Sequence, residues 1–318
     1  MQTKRRIIAA KIEGTEGVAE TLTATETGIL VTNGSYTPDI KMLPRDVLLA
    51  TFSKLPDLTG VRLSKLTFKA EMIGRGTAYA AGTVPRLSPY LRACGLQETV
   101  DVTGGAENVS YQRASSGIPS LTMAFLDDDG AGGAVVKKLI GARGNVKFSG
   151  SVGGQLYAEF SFIGAFVDVV DGAQLTASYD DIRPPQLLGT AFTVDGYQSA
   201  FSAFDFDMGN TLAGIPDCSK DSGYRGFEIT DGDTRGQFDP EMVKVATHDY
   251  YGKWIDGIEG ALVVGPFGPA QYNRIGINAP NLVTTNVQET ERESQMALTV
   301  NYQLAMNSGD DEFVLTFS

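Results

Sequence analysis

The chain has one histidine, one tryptophan and two cysteines among its 318 residues. Each scarcity closes a class of function. Cys94 and Cys218 make neither a disulfide framework nor a metal-ligand spacing, and they suit a reducing cytoplasm. With His248 as the sole imidazole, most acid–base and nucleophilic arrangements lack a member. No apolar run approaches the roughly 20 residues that a spanning helix needs. The basic start, MQTKRR, leads into only four apolar residues before Lys11, short of the roughly 7–15 of an export signal, so export is not expected. There is no phosphate loop, dinucleotide fingerprint, GxSxG elbow or zinc-ligand spacing, and no cofactor or metal is expected.

What is present is a globular composition, 42% apolar and 20% charged, rich in turns with 37 glycines and 13 prolines. The net charge of −12 is uneven. Residues 1–185 hold 19 Lys/Arg and 19 Asp/Glu, whereas residues 186–318 hold 7 and 19. An acidic half repels nucleic acid, because phosphate contacts need Lys and Arg.

The dominant pattern has a period of two, the mark of half-buried strands. In GQLYAEFSFIGAF, Leu156, Ala158, Phe160, Phe162 and Phe166 share one parity. LSKLTFKAEM sets Leu66, Phe68, Ala70 and Met72 against Lys65, Thr67 and Lys69. SLTMAFL (120–126) is a further strand, and VVKKLIGARGNVKFSG predicts two strands around Gly141–Gly144. In the second half, FSAFDFDMGN alternates Phe204, Phe206 and Met208 with Asp205 and Asp207. GYRGFEITDGDTRGQFDPEM predicts two strands about an Asp-Gly turn, and SQMALTVNYQLA is a closing strand. Two stretches read as short helices. SPYLRACGL has Ser88 as cap, Pro89 in the first turn and Gly95 as stop, and HDYYGKWIDG spans 248–257. Residues 1–27 are polar and without period, and read as an arm. DDIRPPQLLG (180–189), with two prolines, reads as a linker. The division is therefore an arm (1–27), a first β domain (28–182) and a second (183–318).

The order of strands, one helix, strands and a closing strand occurs twice. Gln155 corresponds to Gln295, Leu156 to Met296, Phe160 to Val300 and Phe162 to Tyr302. Upstream, Ala142–Asn145 aligns with Ala279–Leu282, with three residues inserted in the intervening turn. The pattern is that of a duplicated β-sandwich unit with one helix in each copy.

Candidate chemistry is thin. DGDTRGQFDPEM starts like a calcium loop but has Arg235 and Met242 where ligands belong, so a polar hairpin turn is expected. Asp127, Asp128 and Asp129 read as a solvated turn. His248 and Asp249, adjacent on a helix, point about 100° apart and do not face each other. Tyr250, Tyr251 and Trp254 suit either a sugar platform or, by preference, a helix anchored on a sheet. The loops say more. TPDIKMLPRDVLLATFSKLPDLTG (37–60) is long, and it is too apolar for a solvated linker: it carries Met42, Leu43, Val47, Leu48, Leu49 and Phe52, with Arg45 among them. Such a segment either adds a strand or packs on a partner chain. Residues 209–226 hold the corresponding place in the second half.

PYLRACGLQETV (89–100), YQRASSGIPSLTMAFLDDDG (111–130), KKLIGARGNVKFSGSVGGQLYAEFSFIGAF (137–166), FDFDMGN (204–210) and the last forty or so residues occur in an order that resembles the major tail tube proteins of long-tailed bacteriophages, in their two-domain form. The resemblance spans nearly the whole chain. Departures lie in loops such as Asp217–Tyr224, where contacts between subunits are expected. It implies a mainly β fold of two tandem tail-tube-type sandwich or barrel units, each with one short α-helix, whose inner sheets join around a lumen. It implies a virion structural protein, not an enzyme. Such a protein assembles in the host bacterial cytoplasm into stacked rings that conduct the genome. With six units per ring in this family, two units per chain give a ring of three chains, with a ring of six as the competitor. The implied partners are further copies of the chain, a tape measure protein in the lumen, and tail terminator and distal tail proteins at the ends. Genomic DNA would pass without specific binding, kept from the wall by like charge. Glu159, Asp205 and Asp207, on polar strand faces, are the candidate lumen residues. Met42, Leu43, Arg45, Leu48, Leu49 and Phe52 are the candidate inter-subunit residues, and Lys4, Arg5 and Arg6 are candidates for meeting an acidic surface of the next ring. The alternative is a β-sandwich carbohydrate-binding or adhesin module, distinguished by an exposed aromatic platform. A hydrolase is disfavoured by the single histidine.

Overall fold

The structure, a computed structural model, describes residues 5–318. It is mainly β, with two short α-helices and large antiparallel sheets that do not close into a barrel within the chain. In chain order the elements are β1 (Arg6–Ile12), β2 (Val31–Leu43), β3 (Leu58–Glu71), α1 (Ser88–Ala93), β4 (Leu96–Asp101), β5 (Asn108–Arg113), β6 (Leu121–Asp128), β7 (Gly133–Ser151), β8 (Tyr157–Phe166) and β9 (Val170–Ala173), followed by β10 (Phe192–Val194), β11 (Tyr197–Gln198), β12 (Phe201–Asp207), β13 (Asn210–Pro216), β14 (Tyr224–Gly232), β15 (Arg235–Pro240), α2 (Tyr250–Asp256), β16 (Glu259–Phe267), β17 (Ile275–Arg292), β18 (Gln295–Ala305) and β19 (Val314–Phe317).

The duplication is a matter of pairing order. The first half runs β1–β6–β7–β8–β3–β2, and the second runs β10–β16–β17–β18–β15–β12. Each helix follows the equivalent strand, β3 or β15. Each also sets one buried tyrosine against the equivalent phenylalanine. Tyr90 of α1 stands edge-on to Phe68 at 5.5 Å, and Tyr250 of α2 lies 6.3 Å from Phe238. The alignment upstream of the closing strands differs from expectation. Val146 lies opposite Phe160 and Val287 opposite Val300, so Val146 matches Val287 and no three-residue insertion separates the copies.

Period-two segments become strands because one parity has a core to enter. Leu66, Phe68, Ala70 and Met72 are buried, as are Leu156, Ala158, Phe160 and Phe162. Phe204, Phe206 and Met208 do the same in the second half. Phe148 of β7 lies 4.9 Å from Phe206 of β12, and Phe313 lies 5.1 Å from Phe206, so one aromatic cluster spans both halves. The halves share backbone as well: β12 pairs with the end of β7, and β19 pairs with β5. The buried Arg113 adds a polar tie. Its guanidinium donates to the Met208 carbonyl and the Thr234 hydroxyl at 2.9 and 3.0 Å, and it pairs with Glu312 at 3.1 Å.

Several expectations are corrected. The stretch 135–150 is one continuous strand, not two. β7 carries a register shift near Gly141, whose φ of +59° and close approach to the Gly226 backbone leave no room for a Cβ. Residues 6–12 of the expected arm form β1 against β6, because Ile8 and Ala10 reach the core. Arg5 and Arg6 pair within the chain, with Asp128 and Asp127 at 2.8 Å each. Asp127 and Asp128 are therefore buried partners and not a solvated turn, while Asp129 accepts the loop amides of Ala131 and Gly133. Lys4 lies outside the described residues. β14 and β15 flank the Asp-Gly turn but do not pair with each other. β14 pairs with β13 in a separate two-stranded sheet, and β15 joins β12 and β18. In α1, the Ser88 side chain does not cap the helix; its hydroxyl donates to Glu98. α2 follows the expected grammar, with the Asp249 carboxylate accepting from Gly252 N–H at 2.7 Å and Gly257 left-handed at the stop.

The segment 174–185 carries no regular structure. It is nonetheless anchored: Arg86 donates twice to Asp180, at 2.7 and 2.8 Å, and Arg75 donates to the same carboxylate. The Arg86 hydrogen bonds hold the Asp180 carboxyl below its ordinary value, against an opposing effect of partial burial. A lowered folded-state pKa contributes stability that is complete above the ordinary aspartate range and lost as pH falls through the lowered value. Asp180→Asn is expected to lower the melting temperature at neutral pH, with the two curves converging on acidification; a constant gap down to about pH 2 would contradict this. Phe206→Ala should cost about 3–5 kcal/mol in urea denaturation followed by Trp254 fluorescence. A loss under about 1 kcal/mol would mean that the aromatic junction is dispensable.

Candidate assembly surface

The side chains with obvious chemistry are occupied in packing. His248 is buried, stacked on Tyr197 at 4.7 Å and edge-on to Tyr250 at 4.5 Å. Burial, and secondarily the Lys253 charge, lower its pKa, so the ring is neutral at pH 7. Asp249 faces the helix backbone. The three aromatics of α2 separate: Tyr250 is core, the Tyr251 hydroxyl donates to Glu289 at 3.0 Å, and Trp254 is 38% exposed, more open than an anchor would be. They make no shared platform.

The feature that organises the surface is a sheet. β2–β3–β8–β7–β12–β15–β18–β17 is one continuous run of eight antiparallel strands crossing both halves. Its core face carries the phenylalanines and both helix tyrosines. Its other face is uncovered by either helix and largely polar: it carries Lys65, Thr67 and Lys69 of β3, Asn145, Lys147 and Ser149 of β7, Asp205 and Asp207 of β12, and Thr299, Asn301 and Gln303 of β18, with Tyr157, Ile163 and Ala165 of β8 among them.

Glu159, Asp205 and Asp207 all lie on this polar face. They do not make an acidic wall. Glu159 pairs with Lys69 at 2.9 Å, Asp205 pairs with Lys147 at 3.2 Å, and Asp207 accepts from Asn145 Nδ2 and the Gly209 amide. Asp39 and Lys65 add another balanced pair, at 3.7 Å. Such exposed pairs contribute little stability, roughly 0–1 kcal/mol each, but they leave the face nearly neutral and densely hydrogen-bonding. Much of the second half's acidity sits elsewhere, at exposed positions such as Asp221, Asp231, Asp256, Glu259, Glu291 and Glu293.

The other candidates gather at one place. β2 and β3 form a long hairpin that runs past the core, so part of the 37–60 segment does add strand. The irregular tip, 44–57, carries Arg45, Leu48, Leu49 and Phe52, and Met42 and Leu43 stand at its base. All six are exposed, and Leu48 and Phe52 are fully so, at 105% and 109%. The corresponding second-half segment behaves differently. β13 and β14 fold back over the first half, where Arg62 bonds the backbone of Asp221 and Ser222 and Arg143 bonds the Phe227 carbonyl. The Asp217–Tyr224 loop is thus engaged within its own chain.

Two strand edges of the sheet stay open. Among the described residues, β2 pairs on one side only, with β3, and β17 beyond Val283 pairs only with β18. The strand faces are legible in the sequence and these edges are not, because edge status depends on which strands end up adjacent. No known protein-family model matches the chain, and no curated protein matches its sequence.

Proposed function

We propose that the chain is a structural virion protein that assembles into stacked rings, forming the tail tube of a long-tailed bacteriophage and guiding the genome into the bacterial host. One observation carries this reading: an eight-stranded sheet with a polar, helix-free face and an open edge at each end. Open edges are unpaired rows of N–H and C=O groups that a protein must cover or use. Sideways closure uses them, and it turns the polar face toward a lumen. A ring of three such chains holds more strands than the roughly 16–18 that already leave an aqueous channel in a barrel. A lumen wall of paired charges and amides offers DNA no run of unpaired cations, so passage without specific binding follows. The hairpin tip supplies an apolar surface for the next ring. A tape measure protein in the lumen and terminator and distal proteins at the ends complete the tail, in the virion and during its assembly in the host cytoplasm.

Negative-stain microscopy of the concentrated protein, with light scattering, tests the reading. Rings or hollow tubes are expected, with class averages showing threefold symmetry; sixfold symmetry would replace the trimer with a hexamer. Small monodisperse particles that bind glycans would overturn the proposal. The double substitution Leu48→Ser/Phe52→Ser is expected to leave monomer stability within about 0.5 kcal/mol, since both side chains are solvent-exposed. The same variant should shift the population from tubes to single rings or monomers.

A further inference from the structure

The chain contains one finished example of the junction that a ring would need: the ladder between β7 and β12, where the halves meet. Its register is Asp207 opposite Lys147, Phe206 opposite Phe148, Asp205 opposite Ser149 and Ala203 opposite Ser151. β12 is the second half's counterpart of β2, and the match extends to an irregularity. Val31 stands opposite Ala70 as Phe201 stands opposite Pro240. Each ladder then slips by one residue, after which Tyr36 faces Leu66 as Phe206 faces Gly236. β17 is likewise the counterpart of β7. Ser149 faces Tyr157 on β8, and Thr290 faces Ala297 on β18. One half has its β7 edge filled by β12. The other half's equivalent edge, on β17, is open, and so is the edge of β2 that corresponds to the one β12 uses.

We infer that the partner of the β2 edge is the β17 edge of a second copy of this chain, in the register of the internal ladder: Ser35 opposite Thr290, Tyr36 opposite Glu289, and Thr37 opposite Gln288. The inference rests on the ring reading and adds the residues that meet. The side-chain chemistry is consistent on both faces. On the polar face, Asp205, Asp207, Lys147 and Ser149 are replaced by Ser35, Thr37, Gln288 and Thr290, all of which are exposed. On the core face, the Phe206–Phe148 contact is replaced by Tyr36 and Glu289. The internal junction is therefore apolar and permanent, and the one between copies is polar and separable. The extent of pairing also follows. Internally, the Met208 amide donates to the Val146 carbonyl at 3.1 Å. Pro38 occupies the place of Met208 and has no N–H to give, so the ladder between copies stops at Thr37. The same hydrogen bond sets the phase: Asp205 and Ser149 form a non-hydrogen-bonded pair, the geometry in which opposed side chains approach most closely. Ser35 and Thr290 inherit it.

Cysteine pairing tests the register. Cys218, which is exposed, is replaced by serine, and buried Cys94 is kept. Ser35→Cys and Thr290→Cys are made in separate chains, mixed, assembled and oxidised; melting temperatures confirm that each variant folds. The two positions lie on opposite outer strands of the sheet, so a link must join two copies. About half of the mixed protein, the limit for random equimolar mixing, is expected to run as a reducible dimer on a non-reducing gel, with each variant alone staying monomeric. The chain carrying both substitutions should run as covalent multimers that end at the ring's own number. Glu289→Cys mixed with Ser35→Cys projects to the opposite face and should not link. If microscopy shows rings but Gln288→Cys links to Ser35→Cys in place of Thr290→Cys, this register is overturned and the ring reading stands. Rings with no link in any mixture would place the junction on other edges and overturn the inference. Absence of both rings and links would overturn the inference and the ring reading together.

Discussion

Everything in this chain depends on the antiparallel ladder between β7 and β12. It joins the two halves by backbone hydrogen bonds and, on its core side, brings Phe148 and Phe206 to 4.9 Å, with Phe313 closing the cluster. Without it the large sheet would divide between β7 and β12 into two pieces, each with a further open edge. With it, eight strands form a single sheet whose parity is consistent from β2 to β17. The polar face is continuous only because no register error intervenes at the junction, since a slip of one residue would exchange the two faces. The β5–β19 pairing and the Arg113 contacts hold the same two halves at other points, so the angle between them is set by several independent constraints.

The two copies of the unit have diverged where their neighbours differ. β12 puts Phe206 where β2 has Tyr36, because β12 is permanently covered and β2 is an outer strand. The β2–β3 hairpin extends into an apolar tip, while the second-half segment 210–232 folds back as β13–β14 and is consumed in packing on the first half. Charge follows the same logic. Carboxylates on the sheet face are matched with lysines and amides, and exposed acids collect on loops and ends.

Much of this was legible in the sequence. The parity of Leu66 to Met72, Leu156 to Phe162 and Phe204 to Met208 gave the strands and their core faces, because burial of one side of a pleated strand imposes period two. Both helices were readable from turn and stop residues, although the cap of α1 was not, since the Ser88 hydroxyl is drawn to Glu98 by a tertiary contact. β13 and β19 were missed as strands. β19 is short, and the pairing partners of both lie in a separate sheet or in the other half. The acidic bias of the second half suggested an acidic wall. Pairwise neutralisation across neighbouring strands, which net charge does not record, made the face balanced.

By itself, the sequence determined the secondary structure class, the doubling of the unit, and which side of each strand is apolar, since these follow from local periodicity and composition. The tertiary structure alone decided which strands are neighbours. Pairings such as Asp205 with Ser149, Phe317 with Ile275, and Arg6 with Asp127 join residues far apart in the chain. Backbone hydrogen bonding is chemically the same at every residue and leaves no mark in the side chains that says which strand lies alongside. For the same reason, the two open edges of the eight-stranded sheet became visible only once its strand order was known.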